Sequence, residues 1–230
     1  MDTSKLYFET HTISDVLGFI LITPPSTASR TAHEIFSYFP FDTYDYKNGK
    51  VFYKKQGVTH AHTPYLFEGH EKYKLILTTR NPYAQYSSRF MGFYSSMNQV
   101  QSSLNFKDHF TDFIFTITSD IKNKLKDTFN PELCWGDIDK EITYKIRVEN
   151  ISEDYKNIPF IKESELNLSG KLDEILNRKI GNRIDSSQPI VRKFPSDWRE
   201  YWSDESAENF YSLFHRNFER WGYDKDSWKK

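Results

Sequence analysis

Two short apolar runs place the strongest constraint on what this chain can fold into. One covers residues 17–23 and is followed by two prolines, and the other covers residues 73–79 and is followed by Arg-Asn-Pro. Continuous apolar runs of this length are typical of strands that are buried on both faces. Residues 30–39, after the first run, have apolar side chains at helical spacing, and Pro82 suits the first turn of a second helix. The pattern therefore predicts two strand–loop–helix units.

The rest of the chain continues this alternation. Residues 106–121 and 206–221 have helical patterns, residues 142–148 alternate like a strand, and residues 41–57 indicate a hairpin or an irregular excursion. Strands that alternate with helices favour an α/β fold with a mainly parallel sheet flanked by helices. The length of 230 residues predicts a single domain over residues 1–230.

Composition excludes several classes of protein. The chain has 31 Lys and Arg against 32 Asp and Glu, which argues against a nucleic-acid partner. Its aromatic share of 17% is too high for a disordered chain. Cys134 is the single cysteine, so an internal disulfide and a zinc site with several thiolates are excluded. The polar first residues and the short apolar runs predict a cytoplasmic protein with no membrane span.

The loop after the first strand has the composition of a phosphate-binding loop. Small residues there run into a helix start, where backbone N–H groups and the helix dipole favour an anion. Hydroxyl side chains and the guanidinium of Arg30 add donors; the hydroxyl residues are Ser26, Thr27, Ser29 and Thr31. The alternative is an ordinary helix cap by Ser or Thr. The ATP-type loop GxxxxGK[ST] is absent, which disfavours a nucleoside triphosphatase.

The second strand also ends where a ligand could bind. Arg80 follows it directly, and ligands of open α/β sheets collect beyond the carboxyl ends of the strands. Both loops could therefore line one crevice. The alternative is that Arg80 is a surface or salt-bridging arginine.

These motifs resemble the sulfotransferases that use 3'-phosphoadenosine 5'-phosphosulfate (PAPS). Residues 25–31, PSTASRT, are similar to the phosphosulfate loop of that family, and residues 80–88, RNPYAQYSS, to its 3'-phosphate motif. The resemblance implies a fold like that of the P-loop nucleotide kinases. It also implies that Arg80 and Ser88 bind the 3'-phosphate of the donor. The 5'-phosphosulfate would be held by the loop residues Ser26, Thr27, Ala28, Ser29, Arg30 and Thr31.

Three further stretches extend the resemblance. Residues 59–66, THAHTPYL, are similar to the H-x-H segment of uronyl 2-O-sulfotransferases, which makes His62 the catalytic base. Residues 192–202 resemble a late family motif that contacts the 3'-phosphate, so Arg192 and Lys193 are candidate nucleotide ligands. Residues 209–223 resemble the closing helix of the family. Glu149 occupies a recurring family position and is expected to be a buried structural carboxylate.

The resemblance implies transfer of a sulfuryl group from PAPS to an acceptor hydroxyl of a glycan or small molecule, with no metal. Arg30 would assist by neutralising charge on the departing phosphate. Two departures stand out, because the family has Lys or Arg where this chain has Ser26, and often Arg where it has Gln85. A catalytically weak or inactive binding module is therefore one alternative, and a nucleotide kinase is another. A metal site at His60, His62 and His70 is a further, disfavoured alternative.

Overall fold

The computed structural model describes residues 9–24, 26–47, 50–58, 69–96, 106–122, 141–178 and 197–229. The chain divides into two compact units. The sheet unit is formed by Met1–Thr79 and Glu132–Arg178, and the helical unit by Arg80–Pro131 and Lys179–Lys230. Each unit is assembled from two stretches that are separated in the chain. The prediction of a single domain over residues 1–230 stays a prediction.

The sheet unit contains one six-stranded sheet. Its strands are β1 (Glu9–Ser14), β2 (Phe19–Ile22), β3 (Asp42–Lys47), β4 (Lys50–Gln56), β5 (Lys74–Thr79) and β6 (Ile142–Arg147), in the spatial order β4-β3-β1-β2-β5-β6. The described helices of the chain are α1 (Ser29–Phe36), α2 (Pro82–Ser96), α3 (Phe106–Lys122), α4 (Ile151–Lys156), α5 (Pro159–Lys162), α6 (Glu165–Leu168), α7 (Lys171–Asn177) and α8 (Asp204–Trp221). Short 3₁₀ turns cover His70–Lys72, Val148–Asn150 and Trp198–Tyr201. These elements confirm an α/β fold.

The prediction of a mainly parallel sheet is wrong. β2, β5 and β6 pair in parallel, but β1 pairs antiparallel with both β2 and β3, and β3 pairs antiparallel with β4. The physical reason is connection length. Residues 15–18 join β1 to β2, and residues 48–49 join β3 to β4, and such short connections permit only antiparallel pairing. The hairpin alternative for residues 41–57 is thereby confirmed.

Apolar side chains pack the helices of the sheet unit against one face of the sheet. All four residues of β2 are buried, as expected for a strand covered on both faces. The core on this face combines Phe19, Leu21, Ile76 and Ile146 from the strands with Ala32, Ile35 and Phe36 from α1 and with Tyr155, Ile161, Leu172 and Ile175 from the following helices. This packing fixes α1 against β2, so the connection between them is held at both ends.

The helical unit has an aromatic core. Tyr83 and Phe90 on α2, Phe110 on α3 and Phe210 on α8 are fully buried, and Trp202 packs edge-on against Tyr83 with ring centroids 4.6 Å apart. Ser203 caps α8 in a capping box with Ser206, which is why the helix begins at Asp204, slightly before the predicted residue 206. Among the described residues, no helix is long and apolar enough to cross a membrane.

We expect the stability of the fold to fall as the pH drops from about 6.5 towards 4, because of His11. Burial, together with the nearby charge of His70, lowers the pKa of His11 from 6.5 to about 4. The unfolded chain therefore takes up this proton at a higher pH than the folded chain does. The loss reaches roughly 3 kcal/mol at the acid end of this range.

Urea unfolding at pH 7 and at about pH 4.5 measures this effect. The variant His11→Gln cannot titrate, so it should lose clearly less stability between the two pH values than the wild type. Equal losses in both proteins would show that His11 does not cause the pH dependence.

Candidate functional site

The predicted phosphate loop lies at the carboxyl edge of the parallel strands. β2 and β5 are neighbours in the sheet, and Ile22 lies opposite Leu77 in their register. Thr23 and Pro24 follow β2 at this edge, and α1 begins at Ser29, one residue before the predicted start. This is the edge at which ligands of open α/β sheets bind.

The backbone of the loop is in an unusual conformation. Ser26 has a φ of 64° and Ala28 a φ of 57°, and among the described residues they are the two non-glycine residues with positive φ. Side chains with a Cβ disfavour this left-handed region, so such residues persist where their surroundings hold them and are often found at functional sites. Alternation of left-handed and other conformations can turn successive N–H groups towards one point, which forms an anion-binding concavity.

The helix that follows this loop has no side-chain cap. Its N-cap residue is Ala28, which makes no side-chain hydrogen bond to the helix, and its first turn contains no acidic residue. The N-cap position of this helix is therefore not occupied by Ser or Thr. Because the first-turn N–H groups have no acceptor within the helix, and the dipole is positive at this end, α1 suits an external anion.

Buried hydrogen bonds hold the loop from the inside. The Thr27 hydroxyl donates to the Pro24 carbonyl oxygen over 2.6 Å and lies 2.7 Å from the Thr78 hydroxyl on β5. Nearby, the Thr23 hydroxyl lies 3.1 Å from Nε2 of His33 on α1. The side chain of Thr27 therefore shapes the loop, whereas the sequence suggested that its hydroxyl faces the anion.

Arg30 is exposed at the junction of the loop and α1. An arginine on a helix surface commonly pairs with a glutamate four residues further along the helix, which here is Glu34. In the structure Glu34 Oε1 instead accepts a hydrogen bond of 2.7 Å from Arg178 Nη1, at the end of α7. Glu34 is thus paired with Arg178, and Arg30 lies in the first turn of α1, the turn that an anion would contact.

The helical unit contains the predicted 3'-phosphate motif. Arg80 and Ser88 are both partly buried, Arg80 just before α2 and Ser88 within it. Asn81 fixes the start of this helix, since its Oδ1 accepts from the Tyr83 N–H over 3.0 Å and its Nδ2 donates to Ser227 Oγ over 2.8 Å.

The same unit brings two more of the resembling motifs to this helix. The Ser87 hydroxyl accepts a hydrogen bond from Trp202 Nε1 over 2.9 Å, and its own proton is donated to the Tyr83 carbonyl oxygen over 3.0 Å. The Tyr83 hydroxyl donates to the Lys225 carbonyl oxygen, beyond α8, over 2.9 Å. The Tyr83 ring also packs against Phe210 on α8, with ring centroids 5.6 Å apart. Described residues of three stretches that resemble sulfotransferases, residues 80–88, 197–202 and 209–223, are therefore in contact within one unit.

Several predicted site residues lie outside the described residues. They are His62 with its neighbour His60, and Arg192 with Lys193. Their roles stay predictions. Within the described part of the chain, no cluster of three His, Cys, Asp or Glu side chains could hold a metal ion.

The expectation for Glu149 is wrong, because its side chain is exposed. The buried structural carboxylate of this region is Asp154 on α4. It accepts hydrogen bonds from the Arg147 backbone N–H, from Nε and Nη2 of Arg147 and from Asn150 Nδ2, over 2.6–2.9 Å. Burial alone would raise the pKa of Asp154, but the hydrogen bonds from Arg147 outweigh it and the pKa is lowered. Asp154 thereby fixes the end of β6.

Sequence reasoning missed one residue that shapes the loop, Thr78, which supports Thr27 from the neighbouring strand. The signal for Thr78 was available, since a hydroxyl residue that interrupts a buried apolar strand needs a hydrogen-bond partner. Ala28 was predicted as a loop residue, but its left-handed N-cap conformation was not predicted. No signal in the sequence marks that conformation, because alanine ordinarily avoids it.

Comparison with models of protein families finds no match to this chain, and comparisons with curated proteins and with solved structures find none either. The resemblance to sulfotransferases therefore stays a hypothesis carried by the motifs quoted above.

Proposed function

We propose that this protein is a PAPS-dependent sulfotransferase with the nucleotide-kinase-like fold of that family. The observation that carries the proposal is the conformation of the loop before α1. Ser26 and Ala28 are left-handed, and Ala28, the N-cap residue, makes no side-chain hydrogen bond to the helix. A loop of this kind, between a buried parallel strand and a helix, suits a phosphate or a phosphosulfate. The exposed Arg30 supports the proposal, because a guanidinium can bind two oxygens of such a group.

The 3'-phosphate motif supports PAPS over other nucleotides as the donor. In the proposal Arg80 and Ser88 bind the 3'-phosphate, the group that distinguishes PAPS from ATP. Arg192 and Lys193 are assigned to the same nucleotide on the resemblance alone. Asn81 donates a hydrogen bond to Ser227 at the start of α2, which holds the backbone next to Arg80 in place.

The proposed reaction is a direct transfer of the sulfuryl group. An acceptor oxygen, from a glycan or a small molecule, forms a bond to sulfur while the bond from sulfur to the 5'-phosphate oxygen breaks. The proton of the acceptor hydroxyl passes to His62. Arg30 and the loop N–H groups stabilise the charge that develops on the departing phosphate. The products are the sulfated acceptor and 3'-phosphoadenosine 5'-phosphate.

We expect the protein to bind 3'-phosphoadenosine 5'-phosphate much more tightly than AMP. Charge-assisted hydrogen bonds to the 3'-phosphate provide the difference. Arg80→Ala should lower affinity for the bisphosphate about ten- to hundredfold and leave affinity for AMP unchanged. Isothermal titration calorimetry with both nucleotides measures these affinities. The same measurement with ATP tests the nucleotide-kinase alternative, which requires a preference for ATP.

Arg89→Ala is the matched control for this prediction. Arg89 is a partly buried arginine on the same helix, beside Ser88, and its guanidinium lies 5.7 Å from the ring centre of Tyr86. Its replacement removes the same charge and should leave the preference for the bisphosphate intact. Equal affinity of the wild type for the bisphosphate and AMP would contradict the proposed donor.

A second candidate function is nucleotide or glycan binding without turnover. Ser26 favours it, because the loop lacks the cation that the family has at this position. Transfer of labelled sulfate from PAPS to a panel of glycans and small molecules separates the two candidates. Tight binding of the bisphosphate together with no transfer to any acceptor would favour the binding module.

A further inference from the structure

The hydroxyl groups of Thr78 and Thr27 form a directed relay beneath the loop. The Thr27 hydroxyl has one proton, and it donates that proton to the Pro24 carbonyl oxygen over 2.6 Å. The hydrogen bond of 2.7 Å between the two threonines must therefore be donated by Thr78 and accepted by Thr27. The relay runs from β5 through Thr27 to Pro24, just beyond the end of β2, and both threonine side chains are buried.

The relay holds the loop where its backbone is least favourable. Thr27 stands between Ser26 and Ala28, the two left-handed residues, and its own N–H also bonds to the Pro24 carbonyl oxygen, over 3.3 Å. Without a fixed side chain at Thr27, both neighbours would be free to relax towards ordinary negative φ. That relaxation would change the directions of the backbone N–H groups that flank Thr27.

We propose that Thr27 and Thr78 are positioning residues that preorganise the loop for the 5'-phosphate of the nucleotide, an inference that rests on the proposed function. Neither hydroxyl contacts the ligand. They keep the loop in its binding conformation before the ligand arrives. This reduces the free-energy cost of ordering the loop when the ligand binds. The relay also joins the loop to the strand that precedes Arg80.

Two ligands separate this role from a merely structural one. The first is 3'-phosphoadenosine 5'-phosphate, and the second is adenosine 3'-monophosphate, which lacks the 5'-phosphate. Thr27→Val keeps the shape of the side chain but removes both hydrogen bonds. We expect it to weaken binding of the bisphosphate about tenfold and to leave binding of the monophosphate unchanged. Thr27→Ser restores the hydroxyl and should restore the affinity.

Thr43→Val is the matched control. Thr43 is a buried threonine of the same unit whose hydroxyl donates to the Gly57 carbonyl oxygen over 2.9 Å, on β3. Its replacement should cost a similar amount of stability without any change in affinity. Thr78→Val removes the Thr78 donor alone and should give a smaller loss for the bisphosphate than Thr27→Val. If the Thr27→Val protein does not fold, the affinities of the Thr78→Val protein for the two ligands test the inference instead.

Two results would overturn the inference while leaving the proposed function in place. In the first, the wild type prefers the bisphosphate to the monophosphate, and the Thr27→Val or Thr78→Val protein keeps the full preference. The other is an equal loss of affinity for both ligands, which would indicate general damage to the fold. A wild type that binds both ligands equally would instead remove the 5'-phosphate site, and with it the proposed function.

Discussion

Replacement of His62 by alanine is expected to lower the rate of sulfuryl transfer about 10²–10⁴-fold, the usual contribution of a general base. The acceptor hydroxyl must lose its proton as the new oxygen–sulfur bond forms. A histidine of ordinary pKa, near 6.5, takes that proton well at neutral pH. The resemblance assigns this role to the second histidine of the segment THAHTPYL. The transfer rate with labelled PAPS measures the effect.

Nucleotide binding provides the internal control for His62. The His62→Ala protein should bind 3'-phosphoadenosine 5'-phosphate as tightly as the wild type, because a base for the acceptor makes no contact with the nucleotide. His60→Ala is the matched variant and should have a milder effect on the rate. If the His62→Ala protein transfers sulfate at the wild-type rate, the base lies elsewhere, and His60 is the first residue to test.

Replacement of Arg30 by alanine should lower the transfer rate about 10²–10³-fold. The departing phosphate gains negative charge in the transition state, and loss of one preorganised donor to such a charge has an effect of this size. Ser26 cannot supply a positive charge at the position where the family has Lys or Arg. Arg30 is exposed at the junction of the loop and α1, and Glu34 is paired with Arg178. Steady-state rates of transfer measure the effect.

Arg178→Ala is the control for Arg30. It removes another exposed arginine from the same unit and breaks the pair with Glu34, so it should change the rate little. Ser26→Lys in the Arg30→Ala background should recover part of the lost activity, because it returns the cation to the family position. A full wild-type rate in the Arg30→Ala protein would remove Arg30 from the mechanism.

Local signals in the sequence were enough to locate most described elements. The apolar run at residues 17–23 gives β2 (Phe19–Ile22), and the run at residues 73–79 gives β5 (Lys74–Thr79). Proline at residue 82 gives the start of α2. Each of these elements depends on interactions between residues that are close in the chain. The spacing of apolar residues and the positions of prolines therefore indicate them directly.

Strand direction and the partner of a buried charge depend on distant parts of the chain. β1 (Glu9–Ser14) was not predicted, because all of its residues except Ile13 are polar, although His11, Thr12 and Ser14 are buried. Adding it to the sheet made most pairings antiparallel. Asp154 rather than Glu149 became the buried carboxylate, because the end of β6 presents the Arg147 side chain and N–H to it.

The candidate anion site divides in the same way between sequence and tertiary structure. The sequence by itself determined where a phosphate loop would lie, since a buried strand, small residues and a helix start are all local features. Only the tertiary structure decided how that loop is held. Ser26 and Ala28 are left-handed against their own preference, and the hydroxyl of Thr78, 51 residues along the chain from Thr27, helps to keep them so. A conformation that local preferences oppose has to be held by contacts from elsewhere in the fold, and a single sequence does not reveal which contacts those are.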